Sequence, residues 1–282
     1  MDILGYSSSG WLSSALYALL LVVLSLQTKG KGESAWFTAL VQSAIFAILV
    51  IHGLSLHDSV FTPQGFVFGF AQDLSLMAWV GLAFYWFQSW FLPIASLRWF
   101  CIALAAVCAY LPDLFPGTLL SARAVSDPWF KGHFIVATVS VGFLSLAAMH
   151  AMLMSVQDRA LHRQLAVTPN GRIALWLEGL PPLMAMESML FNLLYVGYAL
   201  LTLTVFSGLL FSQTLFGKPL VFDHKTIFAL ISWLLFGGLL LARWQVGLRG
   251  RIAVRWVLSA YTALFLAYVG SRFVIEVVLQ RT

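Results

Sequence analysis

Residues Ser188 to Ser212 read SMLFNLLYVGYALLTLTVFSGLLFS, 25 positions without one charged side chain. At about 1.5 Å per residue this stretch makes a helix of roughly 37 Å, longer than the ~30 Å hydrocarbon layer of a bilayer. No water reaches backbone N–H and C=O groups in that layer, so the segment must close its own hydrogen bonds as a helix. A strand of a membrane barrel would alternate apolar and polar residues over about ten positions, and this stretch does not alternate.

Comparable apolar runs centre on residues 9–26, 36–56, 68–90, 97–112, 130–154, 188–212, 224–244 and 254–279. They read as eight transmembrane helices, so the expected fold is an all-α integral membrane bundle forming one transmembrane domain over residues 1–282. Composition agrees: 61% of the 282 residues are apolar and 10% are charged, whereas soluble domains carry about 25% charged residues. Little chain remains for a domain outside the membrane.

The cations set the expected orientation. Ten of the 16, among them Lys29, Arg159, Arg172, Arg243, Arg249 and Arg255, fall on the loops of one face. Arg123, Lys131, Lys218, Lys225, Arg272 and Arg281 fall on the other. Short cytoplasmic loops collect Lys and Arg, which places both termini outside, in a multi-pass protein of a bacterial inner membrane. The net charge of +5 is then a matter of topology, and no nucleic-acid partner is expected. Met1–Gly5 lacks the cationic start of a signal peptide, so the first span is expected to stay in place.

Between the spans, residues 156–172 contain QDRALHRQLAVTPNGR and read as a cytoplasmic linker, with a turn at Thr168–Gly171. Ile173–Glu187, interrupted by Pro181 and Pro182, reads as an interfacial stretch, and Pro112–Pro128 as an irregular external loop. Gly65 and Gly69 form a GxxxG at the head of the third span, a pattern that lets helices approach closely. Cys101 and Cys108 stand one heptad apart in a single apolar run, as packing residues and not a disulfide pair. Trp79, Trp86, Trp90 and Trp99 read mainly as an aromatic belt. No Walker loop, GxSxG, HExxH or CxxC occurs, so hydrolytic, phosphoryl-transfer and zinc chemistry have little support and no catalytic residue is named.

Ionisable groups at membrane depth are costly, which directs attention to the histidines and the few charges within spans. His52 ends the second span, His133 begins the fifth and His224 begins the seventh, so three helices deliver imidazoles to one outer layer. His150 lies about 26 Å deeper by residue count. Neutral imidazoles from facing helices suit a haem, here haem b, with His133 and His224 as the candidate iron ligands and His52 as a third. Lys225 and Arg272 lie in the same layer and match the anionic propionates of a porphyrin. Asp73, one to two turns into the third span, completes the candidate cofactor-binding set. Each member also has a plainer reading: a histidine at a helix end often donates only a hydrogen bond, Asp73 caps a helix, and Arg272 pairs with Glu276 at i,i+4.

Three blocks of sequence resemble a known family. They are SDPWFKGHFIVATVSVGFLSLAAMHAM from Ser126, LPPLMAMESMLFNLLYVGYALLTLTVFSGLLF from Leu180 and FDHKTIFALISWLLFGGLLLARWQVGLRGRIAVRWV from Phe222. Together with DLSLMAW at Asp73–Trp79, they resemble the cytochrome c assembly membrane-protein family, and within it the CcsA-like branch of HemX/YpjD type. The resemblance covers about residues 66–279. It implies haem transport or handling, cytochrome c maturation or regulation of haem biosynthesis, with proteins of those processes as partners and no catalysis. It also implies that His133 corresponds to an external haem-ligating histidine, and that Asp223, Lys225 and Thr226 match the end of an external signature. The tryptophan-rich part of that signature is missing, since Phe211–Phe222 reads FSQTLFGKPLVF. A later external histidine is also absent around Arg272–Leu279. Two other readings stay open: a cofactor-free transporter with Asp73, Arg272 and Glu276 along a polar path, and a regulatory scaffold that docks a partner on residues 156–172.

Overall fold

The computed structural model describes residues 10–27, 34–63, 65–91, 97–119, 128–164, 181–216 and 224–279. Eight helices run through them: α1 (Gly10–Gln27), α2 (Ala35–Val60), α3 (Phe70–Gln88), α4 (Arg98–Leu114), α5 (Pro128–Gln164), α6 (Leu183–Phe216), α7 (His224–Val246) and α8, which starts at Gly250. Helix α8 is α-helical to Phe265, passes through a π-helical turn at Leu266–Gly270 and an α turn at Ser271–Phe273, and ends in a second π turn at Val274–Val278. Five of the eight, namely α2, α5, α6, α7 and α8, are long and apolar enough to cross a bilayer. The chain is an all-α multi-pass membrane protein.

It divides into two compact units, one formed by residues 1–123 with 276–282 and the other by residues 124–275. In the first unit α1 packs on α2 and α4, and α3 packs on α2 and α4, with Tyr17, Ile45, Leu82 and Ile102 fully enclosed. Two indoles tie α3 to α2: Trp79 Nε1 donates to Leu49 O at 2.8 Å and Trp86 Nε1 to Gln42 O at 2.9 Å. These two tryptophans therefore act within the bundle, unlike Trp90, which is 62% exposed. Cys101 and Cys108 are buried thiols outside any disulfide, as their spacing implied.

The same unit holds a small antiparallel sheet that the sequence did not announce. Strands β1 (Phe61–Thr62), β2 (Gly65–Phe68) and β3 (Thr118–Leu119) lie in that order, with Phe61 opposite Phe66 and Val67 opposite Leu119. The GxxxG reading is corrected by it. Gly65 sits in β2 at φ +133°, a region open essentially to glycine alone, and Gly69 is the extended residue before α3. Neither lies on a helix face. The loop expected over Pro112–Pro128 is also shortened, because α4 carries Pro112 inside it and runs to Leu114. Proline there costs one backbone bond in the closing turn, and Phe115 N–H still reaches Leu111 O at 2.9 Å. Residues 120–127 lie outside the described residues.

In the second unit α5, α6, α7 and α8 form a closed ring, each packing on the next and α8 returning to α5. Leu144, Ala147, Ala148 and Ala151 of α5 are enclosed against Leu190 and Leu194 of α6 and Val257 and Leu264 of α8. Helices in a bilayer gain little from the hydrophobic effect, so small residues and interhelical hydrogen bonds hold them. Ser140 Oγ donates to Gly197 O at 3.0 Å, Ser232 Oγ to Ala260 O at 2.9 Å, and Tyr261 Oη to Ser145 Oγ at 2.9 Å. The linker expected at 156–172 is corrected in its first half, since α5 continues to Gln164. Gln157 Nε2 donates to Pro181 O at 3.1 Å and Asp158 receives Arg251. Charged residues ended the apolar run without ending the helix. The turn at Thr168–Gly171 and residues 173–180 lie outside the described residues, while Leu183–Glu187 is the first turn of α6, set off by Pro181 and Pro182.

Candidate functional site

His133 stands in the second turn of α5, half-buried, on the side that faces α6. Its Nδ1 lies 2.8 Å from Ser207 Oγ. The Ser207 hydroxyl donates its own hydrogen to Thr204 O at 3.1 Å, one turn back on α6, so its oxygen is left to accept. The pair therefore selects the imidazole tautomer with hydrogen on Nδ1 and the lone pair on Nε2. Gly208 follows, and a Cβ there would come 3.4 Å from His133 Cε1, so α6 offers the ring edge a flat surface.

Helices α7 and α8 bring cations to the same end of the ring. Lys225, in the first turn of α7, is within electrostatic reach of His133, and its ammonium sits 5.2 Å from the centroid of the Tyr268 ring on α8. Such a contact is worth about 0.5–1 kcal/mol at an exposed position. Arg272 lies four residues beyond Tyr268, half-buried. His224 is the exposed first residue of α7, next to Lys225. One end of the second unit thus collects His133, Lys225 and Arg272 from three helices, with His224 at its margin.

His52 and Asp73 belong to the first unit and are placed there. His52 is 1% exposed and engaged at both ring nitrogens: Tyr17 Oη lies 3.3 Å from Nδ1 and Ser75 Oγ 2.9 Å from Nε2. It cross-links α1, α2 and α3, and an iron at either nitrogen would have to displace one of these partners. Asp73 is buried in the first turn of α3. At the start of that helix Phe70 N–H donates to Glu276 Oε2 at 3.3 Å, so the Glu276 carboxylate caps α3. The neighbouring Gln72 side chain has both amide atoms buried with no hydrogen bond among the described residues.

Sequence reasoning missed Ser207 and Tyr268, which orient His133 and Lys225. A lone serine within TVFSGLLF was the available signal, since a hydroxyl in an apolar span usually bonds a neighbouring helix. His150 is 1% exposed with Nδ1 3.0 Å from its own helix at Leu146 O.

The donor set fits a haem better than a bare metal ion. No group of three or more His, Cys, Asp or Glu side chains able to hold an ion occurs among the described residues. A porphyrin brings four nitrogens of its own and needs only one or two imidazoles from the protein. His133, with its Nδ1 fixed and its lone pair on Nε2, is of that kind, and Lys225 and Arg272 have the charge that carboxylates require.

A helical ring inside an apolar chain, with one oriented imidazole and basic side chains at one end, defines a multi-pass membrane protein with a potential anionic-cofactor site. The chain belongs to the cytochrome c assembly protein family, which residues 49–279 match. It is 28% identical to the inner membrane protein YpjD of Escherichia coli (strain K12) over 266 residues, 93% of this chain and 94% of that one. It is 37% identical to a 28.8 kDa protein of Azospirillum brasilense over 153 residues, 54% of this chain and 53% of the relative. A cytochrome c biogenesis protein CcsA of Synechococcus sp. (strain CC9902) is 26% identical over 184 residues, 60% of each chain.

Proposed function

We propose that the protein binds haem b through His133 Nε2 near the outer face of a bacterial inner membrane, and that it handles haem for cytochrome c maturation or for control of haem synthesis. The observation that carries the reading is the Thr204–Ser207–His133 relay, which fixes the ring in the tautomer an iron ligand requires. Membership of the cytochrome c assembly family supports the process. The relative named CcsA is a cytochrome c biogenesis protein, and the relative named YpjD is an inner membrane protein.

In this reading His133 supplies one axial ligand, and His224 is the candidate for the other. Lys225 and Arg272 hold the propionates, and the apolar faces of α5 and α6 keep water from the ring. Bound haem supplies an iron centre that takes axial nitrogen and one-electron change. No residue is assigned a catalytic step, and the role is carriage and not turnover. The topology that goes with it has eight spans and both termini outside.

The test is an absorption spectrum of the full chain, purified in mild detergent from haem-replete cells, oxidised and then dithionite-reduced. A Soret band with sharp reduced α and β bands is expected, weakened in His224→Ala and lost in His133→Ala. An unchanged spectrum in the His133 variant would falsify the ligand assignment. A featureless spectrum that persists after hemin is added would remove haem binding altogether.

A further inference from the structure

The second unit carries another feature at the end opposite His133. A cleft of about 500 Å³ opens among α5, α6 and α8, roughly 39 Å along α5 from His133 by residue count. Part of its lining is apolar, including Met154, Met184, Val254 and Leu258, and part is charged, with Asp158 and Glu187 facing Arg159, Arg251 and Arg255.

The carboxylates in this lining are already engaged. Arg251 Nε lies 2.6 Å from Asp158 Oδ2, and Glu187 Oε1 receives Arg243 Nη1 at 2.8 Å with Arg249 Nε at 4.0 Å. Arg159 and Arg255 have no ion pair among the described residues, so the cleft retains positive charge. Its depth is marked by Trp244, 80% exposed in the last turn of α7, and by Trp256 on α8. Exposed indoles at the ends of apolar helices lie at headgroup level. A cleft that is cationic at that level and apolar beside it matches a molecule with an anionic head and a hydrocarbon tail.

We propose that this cleft binds an anionic phospholipid, with the headgroup phosphate between Arg159 and Arg255 and an acyl chain along Met154, Met184 and Leu258. Guanidinium groups suit phosphate oxygens because their N–H pairs match them two at a time. A free phosphate ion shares the head chemistry but not the tail, so the two sources separate experimentally. The inference is independent of haem.

The test uses the full chain in mild detergent, with bound lipid read by native mass spectrometry and Tm by thermal unfolding. The probes are phosphatidylglycerol, phosphatidylcholine and inorganic phosphate. Phosphatidylglycerol is expected to remain bound and to raise Tm, and the other two are not. Arg159→Gln and Arg255→Gln should each weaken retention about fivefold, the factor that about 1 kcal/mol per interfacial basic residue represents. Met184→Trp keeps every arginine but fills the apolar wall, and should also lower retention. Lys131→Gln removes one charge at the other end and should change nothing. Equal retention in wild type and both arginine variants overturns the proposal. A full Tm shift with inorganic phosphate alone, or an equal loss in Lys131→Gln, overturns it as well.

Discussion

His133 and His52 are both half of a hydrogen-bonded pair, yet their partners give them different work. Ser207 spends its hydrogen on Thr204 and accepts from His133 Nδ1, which leaves the other nitrogen to define the site. Ser207→Ala should therefore keep a Soret band but weaken haem affinity about 10- to 100-fold, the usual cost of losing a ligand's orienting partner; titration with hemin checks it. His52→Leu strands the Tyr17 and Ser75 hydroxyls in the core of the first unit. About 1–3 kcal/mol per stranded group is expected from the fold, seen as a lower Tm with an unchanged Soret band. His150 is the contrasting case, since its Nε2 is buried with no hydrogen bond among the described residues. His150→Met removes an unsatisfied acceptor at similar bulk, and its Tm should stay within the shift that about 1 kcal/mol produces, or rise. The sequence could single out these histidines because imidazoles are rare in apolar spans. It could not rank them, because rank depends on serines and a tyrosine from other helices.

At the scale of elements, hydropathy located every helix, since a span that must satisfy its own backbone leaves a long apolar run. It misjudged where helices stop. Helix α5 passes ten residues beyond its apolar run to Gln164, because its charged end is held by Arg251 and Pro181 and needs no apolar cover. The sheet escaped notice for the opposite reason: strands of two to four residues are too short to show a period. Packing between elements is also specific at single glycines. A Cβ at Gly197 would stand 2.8 Å from Leu144 Cδ2, where α5 and α6 pack. Gly197→Leu should therefore cost about 1–3 kcal/mol by overpacking, measurable as a lower Tm in detergent.

For the whole molecule, composition fixed the class of protein and the cations gave an orientation that can be tested directly. Lys131 and Arg249 are exposed at opposite ends of the second unit, and the native thiols at Cys101 and Cys108 are buried. In intact spheroplasts, Lys131→Cys should react with a membrane-impermeant maleimide, whereas Arg249→Cys should react only after permeabilisation. The reverse pattern would invert the topology. Helix α8 serves both compact units, since residues up to Ile275 belong to one and Glu276 to the other. Its π turns lie between the regular part that packs on α7 and the residues that carry Arg272 and Glu276. Each residue advances a helix by about 100° around its axis. Deleting one codon within Leu266–Gly270 would thus swing the distal arginine and carboxylate together around the barrel of the helix, while Tyr261 and everything before it kept their bearing. A single-residue change in length at that point is a rotational setting for the polar end of the protein.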